Sequence, residues 1–365
     1  MNKLKTPLFH ITKRGDMPWY VSWGVRAAAI TLALICCCII STIVTDENPI
    51  GILTTIFNGS FGSSRKIMVL LQNTAMLLCV ALALTPAFKM KFWNIGGEGQ
   101  ALAGALAAAA CMILLKNQSN WVVIPCMIVT SLLAGAIWGA IPAFFKAKFG
   151  TNETLFTLMM NYVAIQLVAY FSVVWENPKG SGNIGVINAN SHIGWFPEIL
   201  GSKYALNIVI VVLLTVAMYI YLNYSKHGYE ISVVGESERT ARYIGINVNM
   251  VIIRTMLISG AICGLAGLLL VGGTNHTLNA SIVDGRGFTA VLVSWLAKFN
   301  PVWMILTSFL LVFLGRGAGE IATNFGLNAS FGDILTGIIL FFIIGCEFFI
   351  NYKISLTKTS KKEEK

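Results

Sequence analysis

The stretch KFWNIGGEGQALAGALAAA, residues 91–109, sets one carboxylate, Glu98, among four glycines and a run of alanines directly after a long apolar segment. Gly96, Gly97 and Gly99 interrupt a helix, and residues 101–110 resume it with small side chains that allow close helix approach. The composition of the whole chain decides what such an interruption means.

Of 365 residues, 56% are hydrophobic and only 12% charged, and the mean hydropathy is +0.73. Soluble domains carry about 25% charged residues. Apolar runs of the length a helix needs to cross a bilayer recur at 27–44, 66–88, 97–115, 121–145, 155–175, 205–223, 251–272, 286–299, 302–325 and 333–350. The sequence therefore predicts an all-α, polytopic membrane protein of about ten transmembrane helices, some broken by glycine. The first apolar run begins near residue 20 and is followed by no small-residue cleavage site, so no cleavable signal peptide is expected.

The net charge of +10 follows the topology. With the N-terminus inside, most Lys and Arg fall in or beside inner segments, which places both termini in the cytoplasm. This placement excludes a nucleic-acid partner as the reason for the charge. Residues 1–26 read as a cytoplasmic segment, 27–350 as the membrane domain with a long inner loop at 224–250, and 351–365 as a solvated, disordered, charged tail. Residues 45–65 mix polar and apolar side chains and read as lying along the outer interface.

Inside a membrane, packing needs account for Gly104, Ala107 and Ala108. They do not account for Glu98, because an ionisable group at depth is costly and marks function by default. Backbone bared by a helix break is tolerated there only within protein or beside a water-filled cavity. Asn94, Gly97, Glu98, Gly99 and Gln100 fit two readings, the wall of a cavity for a polar uncharged solute and the structural capping of the break. A second glycine-broken segment, DGRGFTAVLVSWLAKFNP at 284–301, holds a corresponding place in the second half, a pattern that points to a transport site. Its Phe288, Thr289 and Trp295 read either as interface-belt residues or as a surface for a planar base or the apolar face of a sugar.

Between these segments, FGTNETLFTLMMNY (149–162) provides a helix cap at Thr151 or Asn152, with Glu153 in the first turn. Asn161 lies deeper and reads as interhelical glue or cavity lining. In GYEISVVGESERTARYIGINV (228–248), Gly235 and Gly245 bracket a short amphipathic helix whose apolar face, including Val234 and Ala241, suits a cytoplasmic partner or membrane lipid.

Other chemistry is not encoded in any recognisable pattern. No G-x-x-x-x-G-K-[ST] run is present, and residues 97–102 lack the third glycine of a dinucleotide fingerprint. The eight cysteines show no zinc-ligand spacing and read as small buried apolar residues. His10, His192, His227 and His276 are scattered, and the few acids in spans (Glu98, Glu320, Glu347) make a poor proton relay.

FWNIGGEGQALAGALAAA resembles a motif of the permease subunits of bacterial ABC importers for nucleosides and simple sugars, in the branched-chain amino acid/ribose-type permease superfamily. GTNETLFTLMMNY, VVGESERTARYIGINV and ISGAICGLAGLLLVGG followed by GRGFTAVLV resemble the next motifs, in order, across residues 65–350. The Gly-Gly-Glu-Gly-Gln form looks most like the nucleoside branch. The resemblance implies a non-enzymatic permease for purine nucleosides, binding no cofactor itself, with ATP consumed by a cytoplasmic ATPase partner. It implies a second related permease or a second copy, and an extracytoplasmic substrate-binding lipoprotein. Asn94, Gly97, Glu98, Gly99, Gln100, Asn161, Phe288, Thr289 and Trp295 would then form or brace the substrate pathway. Gly235, Glu236, Arg239, Ala241, Arg242, Tyr243 and Gly245 would couple to the ATPase. The sequence departs from the family pattern at Glu236, where Asn is common, at Ile244, where Ala is common, and at the bulkier Trp295 and Lys298. A sugar permease, an ion-coupled secondary transporter and a membrane-embedded enzyme are the competing readings, the last disfavoured for want of a catalytic constellation.

Overall fold

In the computed structural model, residues 9–15, 17–199 and 201–356 are described. Hydrocarbon offers no hydrogen bonds, so the chain satisfies its backbone almost entirely within helices. Nine helices among the described residues are long and apolar enough to cross a membrane. The chain divides into two compact units, one of residues 64–312 and one combining 1–63 with 313–365.

In the smaller unit, helix α1 (Trp19–Thr45) packs against the last long helix, Ala329–Asn351. An ion pair joins them, Arg26 Nη2 to Glu347 Oε1 at 2.6 Å. Both charges sit on apolar helices, where each needs a partner. Helix α2 (Pro49–Phe61) is capped by Asn48, whose Oδ1 accepts the Ile50 N–H at 3.0 Å, with Pro49 in the first turn. At 13 residues it is too short to span. The expectation of a disordered tail is corrected at its start. Strand β1 (Phe9–Lys13) pairs antiparallel with Tyr352–Leu356, Lys13 facing Tyr352. The remainder of the expected tail, 357–365, and residues 1–8 lie outside the described residues.

The larger unit runs through α3 (Ser64–Lys89), α4 (Gly97–Leu114), α5 (Asn120–Phe149), α6 (Glu153–Val174), α7 (Ala205–Tyr224), α8 (Lys226–Glu236), α9 (Glu238–Tyr243), α10 (Val248–Leu270) and α11 (Arg286–Leu296). Helix α12 (Pro301–Asn324) begins in this unit, and Ala329–Asn351 completes the series as α13. The helix in the Asn-Glu-Thr motif starts as the sequence requires. Asn152 is its N-cap, accepting from the Leu155 N–H at 3.1 Å, and Glu153 pairs with Lys146 at 2.8 Å. Ser225, Ser237 and Asn247 cap α8, α9 and α10 in the same way.

Buried shares separate the central helices from the peripheral ones. The most apolar window of α3 is 72% buried and that of the helix running Val248–Asn275 is 78% buried, against 28% for α5 and for α6. Glycine allows α10 to be so enclosed. A Cβ at Gly264 would fall on the Ser131 carbonyl, one at Gly135 on the Gly260 carbonyl, and one at Gly267 on the Ala101 carbonyl. The three helices α4, α5 and α10 thus meet backbone to backbone, the close approach that small residues permit in membranes.

The eighth expected span, 286–299, is not one long helix. Helix α11 has 11 residues, about 16 Å at 1.5 Å per residue. It follows a stretch of irregular chain after a π-helical turn, Val271–Asn275, that ends α10. Left-handed backbone bounds α11 on both sides, at Asp284 and Gly285 (φ 59° and 66°) before it and at Lys298 and Phe299 (φ 49° and 60°) after it, and stops the helix from extending through them.

The glycine seam yields a prediction. Gly264→Ala should destabilise the fold by about 1–3 kcal/mol, as overpacking does, and Gly264→Leu should abolish it. Size-exclusion profiles in detergent and melting temperatures of the two variants, compared with the unmodified chain, check this. An unchanged melting temperature for both would refute the backbone contact.

Candidate functional site: the junction of two broken helices

The two glycine-broken segments meet inside the larger unit. Residues 90–96 turn back into the bundle from the end of α3, so that Gly97 packs on the side chains of Val80 and Leu84. At about 1.5 Å per residue, those positions lie well inside α3, roughly 8 to 14 Å from its end at Lys89. Helix α4 therefore starts at depth, where its first N–H groups have no water to serve them.

Side chains supply the partners. Asn161 on α6 accepts the Gly99 N–H through Oδ1 at 2.8 Å and donates Nδ2 to the Ile95 carbonyl at 2.9 Å. One turn earlier on the same helix face, Thr157 Oγ1 accepts from the Ile95 N–H at 3.2 Å. Asn94 Oδ1 accepts the Gly96 N–H at 3.0 Å and Gln100 Nε2 at 3.1 Å, while its Nδ2 donates to Ser259 Oγ at 3.2 Å. Asn94, Gln100, Thr157, Asn161 and Ser259 are all buried.

Glu98 serves the other break. Its Oε1 accepts the Gly285 N–H at 3.1 Å and its Oε2 the Gly287 N–H at 2.8 Å. The carboxylate, itself buried, thus occupies the N-terminus of α11, where the helix dipole favours negative charge. The approach is so close that a Cβ on Gly287 would overlap the Glu98 backbone. Next to it, Arg286 donates to the Val283 carbonyl at 3.2 Å and to Asn73 Oδ1 at 3.3 Å, and pairs with Asp284 at 3.8 Å.

From this anchored start, α11 turns one face to the bundle and leaves the other open. Gly287, Ala290, Val293 and Ser294 are buried, and the Ser294 hydroxyl donates to the Ala81 carbonyl of α3 at 3.1 Å. Phe288 and Trp295 are exposed and Thr289 is half-buried. Trp295 stacks on Trp93 with ring centroids 5.2 Å apart, and Phe88 and Phe299 complete an aromatic cluster at that end of α11.

On the face that carries the end of α3, α8 and α9 form a short hairpin of helices. Gly235 lies buried under the Lys89 carbonyl, where a Cβ would collide with it. Ile231, Val234 and Ala241 pack into a core with Ala87, Met90, Phe92 and Val251. The apolar face read from the sequence as meeting a partner or lipid is therefore largely used within the chain at Val234 and Ala241. What it presents outward is Glu236, Arg239, Arg242, Tyr243, Ile244 and Gly245, with Tyr243 92% exposed. At the base of the hairpin, Arg254 Nη2 bonds Glu230 Oε2 at 2.6 Å and holds that carboxyl below its ordinary range.

The sequence profile of the family described as Branched-chain amino acid transport system / permease component matches residues 67–344. The chain belongs to this family. It is 30% identical to the guanosine ABC transporter permease protein NupP of Bacillus subtilis over 80% of this chain and 84% of that one. It is 27% identical to the nucleoside ABC transporter permease protein NupB of Lactococcus lactis subsp. cremoris, over 87% and 89%. It is also 25% identical to the glucose ABC transporter permease protein TsgB13 of Haloferax volcanii, over 94% and 92%. It is thus a multi-pass cell-membrane permease component that works with an ATPase and a substrate-binding protein.

Among the positions read from the sequence, the permease gathers Asn94, Gly97, Glu98, Gly99, Gln100 and Asn161 into one buried network at the start of α4. It sets Phe288, Thr289 and Trp295 apart on the open face of α11. Trp93, Thr157, Ser259 and Arg286 belong to the same construction and were not singled out as site residues. Thr157 alone had a legible signal, since it lies four residues before Asn161.

Because each buried N–H left without an acceptor costs about 1–3 kcal/mol, Glu98→Ala should lower the melting temperature of the permease measurably. Glu98→Gln retains one carbonyl oxygen and should recover part of the loss. If Glu98→Ala melts with the unmodified chain, Glu98 does not brace α11.

Proposed function

We propose that this chain is the membrane-spanning subunit of an ABC importer for nucleosides, purine nucleosides in particular. The observation that carries the reading is the start of α11 at depth. It is held by Glu98 and turns Phe288, Thr289 and Trp295 outward, where aromatic faces suit a planar base. The guanosine and nucleoside permeases among its relatives support the same class. A second reading, a simple sugar, has its support in the glucose permease matched over 94% of this chain.

In this reading the polar network at the α4 start shapes the pathway without contacting the solute, and the open face of α11 lines it opposite a second related permease or a second copy. Both chain termini and the α8–α9 hairpin face the cytoplasm. A separate ATPase docks on Glu236, Arg239, Arg242 and Tyr243, while Gly235, Ala241 and Gly245 set the hairpin's shape. An extracytoplasmic lipoprotein delivers the solute. The chain binds no cofactor and carries out no reaction of its own, and ATP is hydrolysed by the partner.

ATP-dependent uptake of radiolabelled guanosine and adenosine, in cells carrying the permease with its ATPase, second permease and lipoprotein, tests the proposal. Competition by nucleosides and not by ribose or glucose is expected. Competition by sugars alone would move the substrate to the second reading, and uptake that persists without the ATPase would overturn both. For the docking face, Tyr243→Ala removes an exposed aromatic of the kind that dominates interface energies. It should reduce ATPase co-purification at least tenfold at unchanged permease yield. Full co-purification would remove the hairpin from that role.

A further inference from the structure

Where α11 ends, on the side that carries the α8–α9 hairpin, Phe88, Trp93, Trp295 and Phe299 touch one another in a closed cycle. Trp93 stacks on Trp295 with ring centroids 5.2 Å apart and planes 26° from parallel. Trp295 meets the Phe299 ring edge-on at 5.7 Å, Phe299 stacks on Phe88 at 6.4 Å, and Phe88 meets Trp93 edge-on at 6.2 Å. Stacked and edge-to-face pairs attract beyond what their buried area supplies. Lys91 and Lys298 are exposed beside the cycle, a setting that also suits an interfacial aromatic belt. A belt residue needs no partner of fixed geometry, whereas these rings join two segments of the chain.

The two segments lead to different parts of the larger unit. Along residues 90–94, Met90, Phe92 and Asn94 are buried while Lys91 and Trp93 are exposed. Met90 and Phe92 pack in the core that holds Ile231, Val234 and Ala241 of the hairpin. Asn94 joins the polar network at the α4 start, and between these anchors Trp93 turns to α11. That helix is held at its first turn by Glu98 and along its buried face by Ser294. Trp93 holds its last turn through Trp295. Lys91, Lys298 and Phe299, which flank the stack, take left-handed backbone angles of 61°, 49° and 60°. Non-glycine residues held in that region are strained and collect at switch points. Trp93 and Trp295 also remain 43% and 47% exposed, so their stack can slide or part without opening a void in the packed interior.

We propose that the Trp93–Trp295 stack is a coupling joint that passes displacement of the α8–α9 hairpin to α11, which makes Trp93 a positioning residue for transport. The hairpin bears on Phe92 through their shared core, Phe92 carries its neighbour Trp93, and the Trp93 ring carries the last turn of α11. The joint rests on the reading above of the hairpin as the ATPase face and of α11 as a wall of the pathway.

The assembled transporter in proteoliposomes, with its ATPase, second permease and binding protein, provides the test. ATP hydrolysis and uptake of radiolabelled guanosine are measured on the same preparation. Trp93→Ala is expected to co-purify the ATPase undiminished and to hydrolyse ATP at the unmodified rate. Its maximal uptake should fall by about fivefold or more, the scale of coupling between linked sites, at unchanged half-saturation. More ATP is then consumed per guanosine moved. Trp93→Phe keeps a ring to stack and should restore most of the uptake. Trp93→Leu keeps apolar bulk without a ring, should not restore it, and serves if Trp93→Ala does not assemble. Trp93→Ala combined with Trp295→Ala should lose no more uptake than Trp295→Ala alone, since either change removes the same contact.

Fully additive losses would overturn the joint. So would unmodified uptake in Trp93→Ala, the result expected of an interfacial anchor, or a change confined to half-saturation, the result expected of a solute contact. A residue that only supported the fold would lower melting temperature, hydrolysis and uptake together, and Trp93→Phe would not separate them. An unmodified transporter that moves glucose and not guanosine would reject the nucleoside reading and not the joint, which is then read with glucose. Uptake by the unmodified transporter that persists without the ATPase would reject the importer reading and the joint with it.

Discussion

A carboxylate holding two backbone N–H groups is the contact on which the interior of this permease turns. Glu98 belongs to the first turn of α4, and the N–H groups it accepts belong to Gly285 and Gly287 at the start of α11. Neither helix could begin where it does in hydrocarbon without such a partner, because the first N–H groups of any helix are unserved. Glu98 thereby allows α11 to start inside the protein against the first turn of α4, whose own N–H groups are met by Asn161 and Asn94. Gly287 completes the arrangement by leaving room for the Glu98 backbone.

Around this clasp the remaining polar side chains act on backbone. Asn161 and Thr157 of α6 hold Ile95 and Gly99, and Asn94 holds Gly96 while linking Gln100 to Ser259 of α10. The network is fully satisfied, the condition under which buried polar groups fix one arrangement and do not loosen the core. It also explains how a glycine-rich break survives beside so tight a seam. Helices α4, α5 and α10 are already locked together through Gly104, Gly135, Gly260 and Gly264, so the break has a rigid wall behind it.

Helix α3 ties the depths of the unit to its surface. Its middle supports Gly97 and receives the Ser294 hydroxyl of α11, and its end lies against Gly235 of α8. A displacement of the α8–α9 hairpin therefore bears directly on the helix that carries the broken segments. The outward residues of that hairpin mix charges (Lys226, Glu236, Glu238, Arg239 and Arg242) with exposed Tyr229, Tyr243 and Ile244, while Ile231, Val234 and Ala241 are packed beneath it. A partner docking there, as proposed, would meet aromatic anchors among charges.

The sequence by itself determined the class of the molecule, the approximate positions of its spans and the two places where glycine breaks them. Apolar length, charge content and helix-stopping residues are local properties, so a cap at Thr151 or Asn152 and a helix interruption beside Gly96 could be read directly, although the interruption occupies residues 90–96 and Gly97 and Gly99 already belong to α4. Tertiary structure decided what each polar side chain answers. Glu98 and Gly287 are 189 residues apart, and no local pattern couples them, so lining and bracing were equally open until the fold brought them together. The same holds for α11, whose apolar content reads as a span although its helix is only 11 residues long, bounded by left-handed backbone at Asp284 and Gly285 before it and at Lys298 and Phe299 after it. Hydrogen-bond satisfaction is a property of the assembled interior, and it is there that the sequence stopped being sufficient.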